Sequence, residues 1–143
     1  MEFHKKYRHV GISYPGVPKG WVPIFERAIV AIEKEMWPGW MSFHLKRLIH
    51  WLAAGNSVVC IKFRWAERLR DFCTHGQMIT DIKEKYATLR IHGHFREDIN
   101  KIIREAETEC EKTCQECGNT EDVKINDGGW LYNLCPACTE TIL

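Results

Sequence analysis

The sequence predicts an α+β fold in which helices pack on a small antiparallel sheet and the C-terminal end folds as a zinc ribbon or treble-clef clip. Three observations carry this prediction. Apolar residues recur at helical spacing around residues 23–36 and 97–112, two short apolar pieces between residues 78 and 92 are placed for a hairpin, and four cysteines stand as two C-x2-C pairs. With 143 residues the chain has room for one core and a small appended module, which places a core domain at 1–112 and a zinc-binding clip at 113–143.

The elements follow in chain order. "GISYPGVPKGW" is rich in Gly and Pro and reads as an irregular lead-in. Pro23 suits the first turn of a helix, and Ile24, Phe25, Ala28, Ile29, Ile32 and Met36 form its apolar stripe until "WPGW" ends it. Ser42 is placed to cap a second helix with Leu45, Leu48, Ile49, Leu52 and Ala53 on one face and Gly55 at its end. "SVVCIKF" is β-branched and apolar, a strand over Val58–Phe63 or the start of a buried helix. Trp65, Leu69, Phe72 and Cys73 step by three and four, which predicts a short third helix ending near Gly76. Met78–Ile82 and Thr88–His92 flank a charged stretch and read as a hairpin rather than a helix. A final long helix spans about Glu97 to Lys112, with Ile99, Ile102, Ile103, Ala106 and Cys110 on its stripe and acids in its first turn.

The clip is the most specific signal. Cys114 and Cys117, then a seventeen-residue interval, then Cys135 and Cys138, match the spacing of four-thiolate zinc sites. Two residues between thiols let one tight knuckle aim both sulfurs at one ion, and "VKINDGGWLYNL" supplies a hairpin, turning at Asn126-Asp127-Gly128-Gly129, that brings the second pair back. Four thiolates close the coordination shell, so the Zn²⁺ would be structural. The competing reading is a pair of redox C-x2-C motifs, which lacks the βαβ context that thioredoxin-like sites need. Cys110 continues the helical stripe and belongs to the core; Cys60 and Cys73 lie on apolar runs and read as small buried hydrophobes. Trp130 and Tyr132 are expected to bury one face of the hairpin on its neighbour.

Charge is divided unevenly. Residues 1–75 hold twelve Lys/Arg against six Asp/Glu, and residues 76–143 hold eight against thirteen, although the whole chain carries a formal net charge of only +1. Between Cys114 and Cys138 stand Glu116, Glu121, Asp122 and Asp127 against one Lys124, and four thiolates on Zn²⁺ would add negative charge, so this region would repel phosphates. Five of the six Trp fall in the basic half. There His44, His50, Lys46, Arg47, Trp40 and Trp51 make the second helix basic and aromatic on the side away from its leucines, continued by Lys62, Arg64, Arg68 and Arg70, and offer Arg for bidentate phosphate contacts and Trp for stacking; a solvated helix face is the plainer alternative. His92 and His94 flank Gly93 without a third ligand at fixed spacing and read as surface histidines. Phosphate-binding loops, nucleophile elbows and H-E-x-x-H are absent, so no enzyme is expected. No apolar run is long enough to span a membrane and the first residues lack a signal-peptide core, which points to a cytoplasmic protein.

Three stretches together, "GWVPIFERAIVAIE", "ITDIKEKYATLRIHG" and "IIREAETECEKTCQECG" running on to "GGWLYNLCPAC", resemble a set of small uncharacterised proteins encoded by tailed phages and prophages. The resemblance covers nearly the whole chain and aligns Ile82, Lys83, Glu84, Lys85, Tyr86, Leu89 and Arg90 with a central motif and the four clip cysteines with metal positions. Ala87 stands where the resembling proteins have Gly, which argues against a tight turn there, and residues 52–76 look like an elaborated middle. The resemblance implies a viral origin and an accessory role in the host cytoplasm, with no activity carried over to particular residues. The expected function is a non-catalytic protein that binds and inhibits a host defence or metabolic protein, or sequesters a nucleotide signal; a nucleic-acid-binding regulator using the basic first half is the alternative. A homodimer is compatible with either.

Overall fold

The computed structural model describes residues 3–11, 16–54, 63–127 and 129–142. The elements run α1 (Phe3–Lys6), α2 (Val22–Met36), α3 (Phe43–Ala54), α4 (Arg64–Thr74), β1 (Met78–Lys85), β2 (Thr88–His94), α5 (Glu97–Glu111), β3 (Lys124–Asp127), β4 (Leu131–Leu134) and α6 (Pro136–Ile142), with single 3-10 turns at Arg8–Val10 and Lys19–Trp21. The fold is α+β, as the sequence predicts. The strand expected over Val58–Phe63 lies, apart from Phe63, outside the described residues, as do Cys60 and Lys62; Phe63 is the extended residue that precedes α4.

α2 forms where its stripe demands: Ile24, Phe25, Ala28, Ile29, Ile32 and Met36 are buried, and Pro occupies the first turn. Its stripe meets that of α5, from which Ile99, Ile103, Ala106 and Cys110 are buried. The β1–β2 hairpin adds Ile79, Ile82, Leu89 and Ile91 to the same core. Burial of these side chains is the main source of stability, at roughly 1.5–3 kcal/mol for each fully buried large aliphatic residue. α5 also reaches the sheet through a polar contact, since the Ile91 backbone N–H donates to the Glu107 carboxylate at 3.2 Å.

The hairpin differs from expectation in two ways. β1 continues through Lys83-Glu84-Lys85, so the charged stretch is strand, and the connection is a two-residue turn at Tyr86 and Ala87. Both turn residues take left-handed backbone angles, φ 55° and 58°. A Glu84 carboxylate oxygen accepts from the Ala87 N–H at 2.8 Å and holds the tight turn that an alanine argued against.

α3 and α4 are the helices whose faces were misread. Ser42 does cap α3, accepting from the Leu45 N–H at 3.3 Å. Yet the buried residues of α3 are Lys46, Ile49 and Ala53, while Leu45 and Leu48 are exposed. The reason lies across the core: a carboxylate oxygen of Glu33, itself buried on α2, accepts from Lys46 Nζ at 2.8 Å and contacts His9 Nε2 at 3.1 Å. A buried carboxylate needs such partners, and supplying one turns the lysine inward and a leucine row outward. On α4 the buried side is Ala66, Cys73 and Thr74, and the stripe Trp65, Leu69 and Phe72 is exposed.

Candidate metal centre and basic cavity

The clip is built from a knuckle, a hairpin and a helix, which is the treble-clef arrangement. In the knuckle Gly118 N–H donates to Cys114 C=O at 3.0 Å and Cys114 N–H to Asn119 C=O at 2.8 Å, with Gly118 at φ 79°, a conformation that suits glycine. β3 and β4 pair antiparallel from Lys124↔Leu134 to Asp127↔Leu131. Asn126 and Asp127 are therefore strand residues and not the first half of the turn that the sequence suggested. The second pair opens α6, where the Thr139 N–H and hydroxyl both donate to Cys135 C=O.

This folding brings the ligand atoms of Cys114, Cys117, Cys135 and Cys138 within 4.8 Å of one another, and the Cys117 and Cys135 sulfurs are 3.6 Å apart. Thiolates about 2.3 Å from a tetrahedral ion sit about 3.8 Å from each other, whereas a disulfide requires about 2 Å, so the four cysteines fit one metal ion and not a pair of bridges. The backbone prepares one donor, Cys114, in particular. Burial raises the Cys114 thiol, but hydrogen bonds from the backbone of Cys117, Cys135 and Glu116 outweigh it and bring it down to about 7. Cys110, one turn of chain away, is the contrast: burial, reinforced by Glu109 and Glu107, pushes its thiol up to about 12. It lies in the main core, outside the cysteine cluster, as the helical stripe predicts.

Among the described residues the clip is stitched to the start of α2 and to the end of α5. Trp21, fully buried at the start of α2, donates its indole N–H to Thr113 C=O at 2.7 Å, and Gly20 N–H donates to Gln115 C=O at 2.7 Å. A Cβ on Gly20 would fall within 2.7 Å of the Gly118 amide nitrogen and still closer to the Cys114 carbonyl oxygen, so only glycine admits the knuckle here. From the clip side Asn133 sends its side-chain amide to the Cys110 and Glu111 carbonyls, capping the end of α5. The Gly20-Trp21 pair that opens "GWVPIFERAIVAIE" thus has a structural task. Tyr132 packs on the small cluster of Cys114, Leu134 and Cys135, but Trp130 is exposed, against the expectation that both would be covered.

The other candidate lies at the opposite charge extreme. Lys5 on α1, Arg8 and His9 on the following 3-10 turn, and Arg47, His50, Trp51 and Ala54 of α3 line a cavity of about 390 Å³. No carboxylate lines it among the described residues. Arg47, His50, Trp51 and Ala54 fall at i, i+3, i+4 and i+7, so α3 carries three faces: one buried, one leucine-rich and exposed, one toward the cavity. The 3-10 turn is fixed against α3 and α2 by His9, whose ring lies 5.1 Å from Phe43 and 6.0 Å from Trp37, while Trp37 Nε1 donates to His9 C=O at 3.2 Å. The Nδ1 atoms of both His9 and His50 are buried without a hydrogen-bond partner. Burial, and the positive charges of Arg70, His9 and Arg8, push His50 down to about 4, so it is neutral at pH 7.

No family model matches this chain, and neither does any curated protein or solved structure. The site must therefore be read from its own residues.

Of the residues singled out in the sequence, the structure gathers Arg47, His50 and Trp51 around the cavity and leaves His44, Arg64 and Arg68 exposed outside its lining. Lys5, Arg8 and His9 were missed. The signal was present in "HKKYRH", whose alternation of bases and an aromatic resembles that of α3, but its lack of helical or strand periodicity gave no way to place it beside Arg47. No helix among the described residues is long and apolar enough to cross a membrane.

Proposed function

We propose that this is a non-catalytic accessory protein of phage origin whose basic first half binds and sequesters a small nucleotide-type ligand of the host, while residues 113–143 form a structural zinc fastener. The observation that carries the reading is the cavity: three basic side chains, two histidines and a tryptophan converge on one concave surface of a size within the roughly 300–1,000 Å³ typical of small-molecule sites. Zinc is the ion favoured by four thiolates in a closed set, and such a set leaves no open position for a reacting water. The clip's acidic surface disfavours it as a phosphate-binding region.

Docking on a host protein is a second reading, favoured by the exposed Trp65, Leu69 and Phe72 stripe of α4 beside Arg64 and Arg68, since Trp and Arg dominate interface hot spots. The test that separates the readings is mass spectrometry of what the zinc-loaded, full-length protein retains from infected-cell extract, with metabolites and proteins analysed in parallel. A retained nucleotide, released unchanged, supports sequestration. A stoichiometric host protein with no small ligand favours the docking reading. Oligonucleotide binding that weakens steeply with salt favours a nucleic-acid regulator, and turnover of the ligand would remove the non-catalytic assignment.

A further inference from the structure

Resting on the reading that the cavity is a ligand site, we propose that it holds the phosphate group of a nucleoside monophosphate, with Arg8 and Arg47 on the phosphate oxygens and Trp51 as the wall for the base. Neither arginine forms an ion pair among the described residues, although ion pairs occupy many of the exposed bases elsewhere, such as Arg27 with Glu109 and Arg96 with Asp98. Arg8 and Arg47 meet at a cavity with no carboxylate in its lining among the described residues, and a dianion is a ligand that compensates their charge. Guanidinium groups offer paired N–H donors that match two phosphate oxygens at once. Trp51 is half exposed, so one part of its ring is held by α3 and another remains available to a planar partner.

The two histidines sharpen the choice of anion. His9 and His50 line the same cavity, and each has a buried Nδ1 that bonds to nothing. Unpaired buried nitrogens are uncommon and call for an explanation; His9 donates through Nε2 to Glu33, but for an Nδ1–H on His50 a phosphate oxygen is the kind of acceptor it lacks. Glu33 contacts the other nitrogen of His9, which fixes that ring. His50 faces Arg8 and His9 from the 3-10 turn and Arg70 from α4, all cationic or ionisable to cations, with Lys46 and Arg47 its neighbours on α3 and the Glu33 carboxylate already bonded to His9 and Lys46. Burial first, and then the repulsion from these cations, keeps His50 neutral; a dianion entering this group offsets the repulsion, so binding is accompanied by uptake of a proton on His50.

The experiment is calorimetric titration of the zinc-loaded, full-length protein with adenosine 5′-monophosphate, adenosine and inorganic phosphate, repeated at pH 7 in buffers of different ionisation enthalpy. The monophosphate is expected to bind more tightly than either part. Arg47→Ala should weaken the monophosphate and inorganic phosphate at least tenfold. Trp51→Ala should weaken the monophosphate several-fold and leave inorganic phosphate unchanged. Proton uptake should appear with the native protein and vanish in His50→Gln. Circular dichroism and zinc content verify that each variant is folded. Adenosine binding as tightly as its monophosphate, or folded Arg47→Ala and Trp51→Ala proteins binding like the native one, would overturn the assignment. So would the absence of binding by both monophosphate and phosphate, or tighter binding of a single-stranded oligonucleotide than of the mononucleotide. If the mononucleotide fails while a different small ligand is retained from extract and lost with Arg47→Ala, the ligand class is wrong but the sequestration reading stands. Loss of that ligand only on clip substitutions would overturn the reading itself.

Discussion

The clip and the cavity both concentrate polar groups, and they treat them in opposite ways. In the clip the ligand atoms turn to one another: four sulfurs lie within 4.8 Å, backbone amides support that of Cys114, and Gly20, Trp21 and Asn133 lock the module to α2 and α5. In the cavity Arg8 and Arg47 form no ion pair among the described residues, and the Nδ1 atoms of His9 and His50 are unbonded. A set of groups that satisfies itself around one ion has little left for a ligand. A set held open by a rigid neighbourhood is prepared for one, because part of the ordering cost of binding has been met by folding. The Glu33–His9–Lys46 network is what keeps the second set open, since it positions the 3-10 turn and α3 without spending Arg8 or Arg47.

The largest effect should come from breaking the clip. Cys117→Ser is expected to release the bound ion and unfold residues 113–142, whereas Cys110→Ser should keep full metal content, as measured by atomic emission on purified protein. Equal metal loss in both would place Cys110 among the ligands. Breaking the network behind the cavity comes next. Glu33→Ala leaves Lys46 and His9 buried without their acceptor and should cost about 3–5 kcal/mol in denaturant unfolding. The carboxyl is raised by burial but brought below its usual range by the His9 and Lys46 hydrogen bonds, so it is ionised at neutral pH and its loss strands a charge. A cost under about 1 kcal/mol would show that the network does not support the cavity.

The junction between the two regions should be intermediate. Gly20→Ala places a methyl against the Cys114 carbonyl and the Gly118 amide, for an expected loss of about 2–3 kcal/mol, with the knuckle as the first part to lose protection. A neutral result would mean the clip is not seated on α2 in solution. The smallest of these effects is a pH dependence specific to the cavity. His50 titrates near 6.5 when unfolded and about 4 when folded, so the unfolded chain binds the extra proton between those values and stability falls on acidification. Between pH 7 and pH 5 this amounts to about 2 kcal/mol, and the native protein should lose that much more than His50→Gln over the same interval.

The clip was legible in the sequence because its geometry is local: a C-x2-C knuckle fixes its own shape, and only the returning hairpin is long-range. The stripes of α2 and α5 were legible for a similar reason, since helical periodicity names the buried face when all of its members are apolar. α3 was not, because its buried face contains Lys46, and a lysine turns inward only when a carboxylate thirteen residues earlier is there to meet it. The cavity was half legible. Arg47, His50 and Trp51 stood out by type, but Lys5, Arg8 and His9 beside them come from a one-turn helix and a 3-10 turn too short to show periodicity, with His9 placed by its Glu33 contact. Trp130 shows the converse, an aromatic residue whose burial was expected from its type and whose place at the hairpin tip leaves it in solvent.

The central claim is that the clip fastens and the basic half works, and amide hydrogen exchange on the full-length protein with and without a zinc chelator tests it most directly. The account predicts that metal removal abolishes protection across residues 113–142 and weakens it at Gly20 and Trp21, while α3 and the buried stripe of α2 remain protected. Uniform loss of protection across α2, α3 and the clip would contradict it, and would make the metal centre the organiser of the whole fold and not its fastener.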